Sequence, residues 1–167
     1  GPGALFVKHN IATLAPPYTP DDAQRAMSAA LEFAVQALRV KHIVVLAHAQ
    51  CGGIRAYAEE AAPLSPGDFI GHWMALIAPA AKKLGPRGER SFADYVTALE
   101  QQAALTTLDN LMTFPCVKTL VERGKLQLHA AYFGVATGAL SVYDPDKKAF
   151  VRAAPEAHAK AFAEPRF

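Results

Sequence analysis

The stretch that decides the fold runs from His42 to Arg55 and reads HIVVLAHAQCGGIR. Its five consecutive apolar residues, at positions 43 to 47, predict a strand buried on both faces, as in a parallel sheet with helices on either side. Gly52 and Gly53 allow the backbone to turn sharply, and a helix is predicted from about Gly53 onward. The segment therefore predicts a buried strand, a tight turn and a helix in direct succession.

Apolar and capping signals before this strand predict one further strand and one helix. Residues 4 to 7 form a short apolar run, which predicts a buried strand whose end opens onto a site. Thr19-Pro20-Asp21-Asp22 carries the signals of a helix start, namely a capping hydroxyl, a proline at the first helical position and acidic residues near the positive helix end. The apolar residues that follow recur at helical spacing as far as Leu38.

The rest of the chain continues the alternation of helices and strands. The predicted elements are helices over 66–84 and 91–123, the second broken near Pro115, and strands over 126–135 and 139–143. Gly138 supplies the turn between these strands, and a short surface helix is predicted after Pro155. This alternation is typical of the α/β class.

His48 and Cys51 are the candidate metal ligands. They follow the carboxyl end of the predicted strand, where open α/β sheets bind their ligands. Two ligands three residues apart can reach one metal from a single turn, and imidazole nitrogen with thiolate sulfur is a pair that zinc favours. A buried histidine beside a structural cysteine would give the same spacing, since two ligands do not make a zinc site. A further alternative makes Cys51 a nucleophile with His48 as its base.

Composition and charge exclude several classes of function. The chain has 167 residues, of which 51% are hydrophobic and 19% charged, and its formal net charge is +2. This length suits one folded domain with a core of its own. Scattered basic residues predict no nucleic-acid partner, and the chain has no apolar stretch of membrane-spanning length. The two cysteines cannot build a disulfide framework, so we expect a reduced, cytoplasmic protein.

The motif around His48 and Cys51 resembles the second zinc-binding motif of the β-carbonic anhydrases. The stretches ALFVKHNIATLAPPY, SAALEFAVQALRVKHIVVLAHAQCGG, APLSPGDFIGHWMALIAPAA and VKTLVERGKLQLHAAYFGVATGALSVYD are similar to further parts of the bacterial family pattern. The resemblance covers nearly all of the chain. It implies an α/β fold with a mostly parallel sheet flanked by helices, in which residues 1–167 form one domain that is incomplete at its N-terminus.

The resemblance also implies an activity and a site. Members of this family hydrate carbon dioxide reversibly to bicarbonate and a proton, using zinc held by two cysteines and one histidine. His48 and Cys51 match the histidine and the second cysteine, and the resemblance places Gly52, Gly53 and Asn10 along the site. It further implies assembly into a homodimer or homotetramer.

One family motif is missing from the sequence. The first zinc cysteine belongs to a Cys-x-Asp-x-Arg motif, which is absent here together with its Asp–Arg pair. Its strand would lie between those ending at Lys8 and Ala47, so the first core strand of the family is absent as well. The catalytic residues are therefore unknown, and we expect these 167 residues alone to show little or no hydration. The alternative is a non-catalytic binding or assembly module that keeps the fold without a complete zinc site.

Other histidines and cysteines are weaker candidates for the missing ligand. Cys116 lies among apolar residues and is expected to pack in the core. His9 stands beside Asn10 where the family carries an arginine, and the resemblance makes it the candidate for a compensating ligand. His129 lies on a predicted strand and is expected to be a core histidine whose hydrogen bonds are satisfied.

Overall fold

The computed structural model describes residues 3–21, 23–62 and 69–153. In chain order its helices and strands are α1 (Ala26–Glu32), β1 (His42–His48), α2 (Gly52–Ala58), α3 (Phe69–Met74), α4 (Ala78–Leu84), α5 (Phe92–Leu111), α6 (Pro115–Glu122), β2 (Gln127–Gly134), β3 (Ala139–Asp144) and β4 (Ala149–Arg152). A π-helical segment, Phe33–Ala37, continues α1, and 3₁₀ turns form at Ile11–Thr13 and Ala75–Ile77. The helix predicted after Pro155 lies outside the described residues.

The four strands form one sheet in the order β1-β2-β3-β4. β1 pairs with β2 in parallel, with His42 opposite Gln127 and His48 opposite Phe133. β3 and β4 then add in antiparallel fashion through hairpins. The α/β class is confirmed, but in the described part of the chain the sheet is mixed rather than mostly parallel. The reason is that short hairpins can join only antiparallel neighbours.

Helices cover one face of the sheet. Val45 and Ala47 point into a core formed with residues of α1, α5, α6 and β2. Val44 and Leu46 lie on the other face and are 56% and 52% exposed. The prediction that this strand is buried on both faces is therefore wrong, because the described helices pack against the Val45 side only. Within the described residues β1 is also an edge strand, paired with β2 alone.

Residues 4 to 7 do not form the predicted buried strand. The segment is irregular, and its side chains face solvent, with Leu5 81% and Val7 76% exposed. The ring of Phe6 contacts that of Phe33 at a centroid distance of 5.9 Å. A strand needs a neighbour for its backbone groups, and this segment pairs with none of the described strands. Its apolar character alone does not place it in the sheet.

The first helix begins later than its capping signals predict. Arg25 is its N-cap residue, and Thr19 instead donates its hydroxyl to the carbonyl of Pro17. Asp21 accepts a hydrogen bond from the N–H of Ala23 and forms an ion pair with Arg25. The carboxylate thus stabilises a turn ahead of the helix, which explains the shift. Asp22 lies outside the described residues.

Later elements agree with the predictions more closely. The stretch predicted as one helix over 66–84 is α3, a 3₁₀ turn and α4, with residues 66–68 outside the described part. Pro115 is the first residue of α6 and separates it from α5, as predicted. Gly138 has φ +66° in the turn between β2 and β3, a conformation that glycine adopts readily. No helix among the described residues is long and apolar enough to cross a membrane.

Candidate metal centre

A two-residue turn joins β1 to α2 and carries the predicted ligands on either side. The N–H of Ala49 donates to the carbonyl of Phe133 at 2.8 Å, which continues the pairing of β1 with β2 into the turn. Gln50 follows with φ +59°, a left-handed conformation that is costly for a residue with a side chain. The chain then enters α2 at Gly52. Thus His48 ends the strand, and Cys51 stands immediately before the helix.

His48 has an exposed ring with a defined tautomer. Its Nδ1 lies 2.9 Å from the carbonyl oxygen of Ala49. Because a carbonyl can only accept, Nδ1 is the donor in this contact, which leaves Nε2 as the nitrogen that can bind a metal. This is the usual arrangement of a metal-binding histidine, in which a backbone carbonyl orients the ring through the other nitrogen.

Cys51 is buried, with 7% of its surface exposed. It packs in an apolar cluster that includes Leu14, Ile54 and Leu99, and its thiol makes no capping hydrogen bond to α2. Its carbonyl accepts from the N–H of Arg55, which starts the helical hydrogen bonding. The start of α2 therefore fixes the backbone of Cys51.

The backbone N–H of Cys51 donates to Glu100, a residue that sequence reasoning missed. Oε1 of Glu100 accepts this bond at 2.7 Å, and Oε2 accepts from the hydroxyl of Tyr132 at 2.6 Å. Burial first, and then the hydrogen bond to Glu100, raises the pKa of Tyr132 above its usual range. A signal was present, because Glu100 interrupts the apolar face of α5 between Val96 and Ala103. It was not used.

The two glycines have different surroundings. A Cβ at Gly52 would meet nothing within 4 Å, whereas one at Gly53 would lie 3.0 Å from Cε of Met74 and 3.6 Å from Cβ of Ala12. Gly53 therefore lets the start of α2 pack closely against α3 and the 3₁₀ turn. Gly52 leaves open space beside Cys51.

Asn10 stabilises the turn that packs beside the strand. Its side-chain amide donates to the carbonyl of Leu14 at 3.0 Å across the 3₁₀ turn. Within this turn, the hydroxyl of Thr13 donates to the carbonyl of Leu46 on β1 at 3.1 Å. Trp73 reaches the same turn, donating its indole N–H to the carbonyl of Ile11. That Asn10 lines the site stays a prediction.

The turn between β1 and α2 carries two side chains of the kinds that bind zinc. His48 and Cys51 fit zinc by donor chemistry, since one offers an imidazole lone pair and the other a thiolate. No group of three or more His, Cys, Asp or Glu side chains placed to hold a metal occurs among the described residues. The two protein donors present therefore fit the metal without completing its shell.

The other candidate ligands lie elsewhere. Cys116 packs against the core cluster that contains Val45, a cluster distinct from that of Cys51, which confirms its expected packing role. His9 is exposed. His129 is half-buried, and its Nε2 lies 3.1 Å from Nδ1 of His42, so the expected hydrogen-bond partner is a second histidine. Burial, and then the neighbouring His42, lowers the pKa of His129.

Comparison with known proteins gives the family. The carbonic anhydrase family model matches residues 1–140. The chain is 33% identical over 161 residues to a carbonic anhydrase of Pseudomonas aeruginosa, covering 96% of this chain and 71% of the relative. It is 32% identical over 151 residues to beta carbonic anhydrase 3 of Arabidopsis thaliana, covering 87% of this chain. It spans 57% of the length of that plant relative.

The fold gives the same result. The solved structure of the β-carbonic anhydrase CcaA superimposes with a TM-score of 0.79 at 26% identity, covering 92% of this chain and 74% of the other. With the family match and the curated relatives, the result is plain. This chain belongs to the β-carbonic anhydrase family.

Proposed function

We propose that the protein catalyses the reversible hydration of carbon dioxide to bicarbonate and a proton, with a zinc ion held in part by His48 and Cys51. The observation that carries the proposal is the turn between β1 and α2, which orients His48 through Nδ1 and places Cys51 three residues further on. Two curated relatives named as carbonic anhydrases support the same reaction.

Each residue of the turn has a role in this proposal. His48 would bind the metal through Nε2, because Nδ1 is committed to the carbonyl of Ala49. Cys51 would bind through its thiolate, and the apolar side chains around it keep water from its buried side. When bound, zinc lowers the pKa of water toward neutrality and so supplies a hydroxide nucleophile. Gly52 offers open space in which a small substrate could approach the turn.

The proposal requires a third protein ligand beside His48 and Cys51. The only other cysteine among the 167 residues, Cys116, packs in a different cluster, and the Cys-x-Asp-x-Arg motif is absent. We therefore propose that these residues alone bind zinc weakly and hydrate carbon dioxide slowly. The absence of a three-residue metal cluster from the described part favours a second candidate function, a binding or assembly module without catalysis.

Two measurements separate these functions. The first is the coding sequence upstream of Gly1, where a Cys-x-Asp-x-Arg motif supports the enzyme and its absence supports the module. The second is zinc content together with stopped-flow hydration of the protein made from the whole reading frame. We expect one zinc per chain, and loss of zinc and activity in His48→Ala and Cys51→Ala. Cys116→Ala is the matched control and should keep both. Full activity of Cys51→Ala would refute the zinc proposal.

The same variants test Cys51 as a nucleophile with His48 as its base. A zinc-free protein whose Cys51 is alkylated rapidly, and more slowly in His48→Ala, would support that chemistry instead.

We also propose a cytoplasmic location, supported by the two free thiols, with cell fractionation as its test.

We further propose that the protein forms homodimers or homotetramers. The support is the open face of the sheet, where the side chains of β1 to β4 that point away from the helices include Val44, Leu46, Phe133, Leu140 and Val151, all exposed. Several large apolar side chains exposed on one face are typical of an interaction site.

A further inference from the structure

Glu100 connects three parts of the molecule around the candidate metal centre. It lies on α5, is 2% exposed, and has Leu99 and Ala103 as fully buried neighbours on the helix. One carboxyl oxygen accepts from the backbone N–H of Cys51, and the other accepts from the hydroxyl of Tyr132 on β2. The side chain thus ties the end of the turn to the long helix and to the strand next to β1.

The bond to Cys51 meets a specific need of the turn. Cys51 is buried and precedes the first helical residue, so its N–H has no acceptor within α2 and would otherwise be left unpaired. The preceding residue, Gln50, is in a left-handed conformation, which is costly for a residue with a side chain, so the turn is not stabilised by its own backbone conformation. The carboxylate of Glu100 on α5 therefore fixes the backbone of Cys51, from which the thiol side chain extends.

The position of the carboxyl group is in turn fixed by Tyr132. This phenol is buried on β2 opposite Ala47 and also hydrogen-bonds to the side chain of Thr97. Among the described residues no lysine or arginine forms an ion pair with Glu100. The carboxyl group is held instead by two short hydrogen bonds, which favour one orientation.

We propose that Glu100 is a positioning residue, which fixes the backbone of Cys51 and thereby the direction in which its thiol is presented to the metal. This inference rests on the proposed zinc site for its functional meaning. Its structural part, the restraint on Cys51, does not require metal. Partners that orient a metal ligand typically matter about 10–100-fold in metal affinity.

The test compares Glu100→Leu, which removes both hydrogen bonds at similar volume, with Glu100→Gln, whose amide can accept from Cys51 and donate to Tyr132. Thr106→Val is the matched control, because Thr106 is buried on the same helix and its hydroxyl has no partner among the described residues. Each variant is made in the 167-residue chain and in the protein of the whole reading frame.

Three readouts are needed. Amide hydrogen exchange of Cys51 by NMR should be about tenfold faster in Glu100→Leu and close to wild type in Glu100→Gln and Thr106→Val. Alkylation of Cys51 by iodoacetamide, in a Cys116→Ser background, should accelerate in the same variant alone. In the whole-frame protein, cobalt affinity should fall about 10–100-fold in Glu100→Leu, with a changed thiolate-to-cobalt absorption band, and should recover in Glu100→Gln.

The outcomes are separable. Unchanged exchange and alkylation at Cys51 in Glu100→Leu would overturn the inference, as would an equal loss of cobalt affinity in Thr106→Val. If Glu100→Leu does not fold, Tyr132→Phe takes its place, and unchanged exchange at Cys51 there overturns the inference. Faster exchange together with a wild-type protein that binds no cobalt would support the restraint on Cys51 and refute the zinc site.

Discussion

The N–H of Ala49 donates to the carbonyl of Phe133 at 2.8 Å, so the pairing of β1 with β2 extends one residue beyond His48. Cys51, two residues later, is held by Glu100 from α5 instead. The two candidate ligands are therefore fixed from different directions, one by the sheet and one by the helix layer. Between them the chain changes direction at Gln50, which adopts a left-handed backbone conformation.

Substitution of Gln50 tests the strain in this turn. Gln50→Val should lower the free energy of unfolding by about 1–2 kcal/mol, because a β-branched side chain tolerates positive φ poorly. Gln50→Gly should change it by less than about 1 kcal/mol, since relief of strain is offset by greater freedom in the unfolded chain. Urea unfolding followed by circular dichroism measures both. Equal losses in the two variants would show that φ is not the cause.

The neighbouring glycines give a matched pair of variants. Gly53→Val should lower the free energy of unfolding by about 1–3 kcal/mol, because its side chain would enter the space of Met74 and Ala12. Gly52→Ala should cost less than about 0.5 kcal/mol, since its Cβ meets open space. Thermal unfolding compares them. If Met74 is the obstacle, Gly53→Ala should lower the free energy of unfolding less in a Met74→Ala background than in the wild-type protein.

The stability of the protein should depend on pH through His129. Burial and the nearby His42 lower the pKa of His129, so the unfolded chain binds a proton at this residue more readily than the folded one. Stability from the neutral ring is thus present above the unfolded pKa of about 6.5 and is lost as pH falls from there toward the folded pKa. Melting temperatures between pH 7.5 and about 5 should fall more in wild type than in His129→Gln. A parallel decline in both proteins would contradict this assignment.

The open face of the sheet gives a test of self-association. The double variant Leu140→Glu with Val151→Glu places charges on two exposed apolar positions of that face, and it should shift oligomers toward monomers. Arg152→Glu is the control, because Arg152 is exposed on the same strand and its side chain alternates to the other face. Sedimentation velocity reports the mass of each. An unchanged mass in the double variant would exclude this face as the interface.

Local pattern predicted the later elements well and the first residues poorly. The strand formed by the apolar run before His48, the break at Pro115 and the turn at Gly138 each have one dominant local cause, and the structure shows all three. Residues 4 to 7 failed because their place depends on a neighbouring strand, which no local pattern supplies. The carboxylate of Asp21 could stabilise either the first turn of a helix or a turn ahead of it. Its bonds to Ala23 and Arg25 show that it does the second.

The candidate site was predictable only in its linear part. The spacing of His48 and Cys51 is visible in the sequence, because both belong to one turn. Glu100 and Tyr132 reach Cys51 from remote segments, and only the folded arrangement brings their polar atoms together. A charged residue on the apolar side of α5 was the one sequence signal for this contact.

The parallel pairing of β1 with β2 has a consequence for the order in which this protein folds. It joins residues 42–48 to residues 127–134, so a loop containing most of the helices must close before the pairing can form. Contacts between such distant segments slow folding, whereas a helix such as α5 forms from local contacts. The turn that carries His48 and Cys51 is held at one end by Phe133 of β2 and at the other by Glu100 of α5, both distant in sequence. It should therefore acquire its final shape among the last parts of the molecule, and a metal ion would encounter a finished turn only at the end of folding.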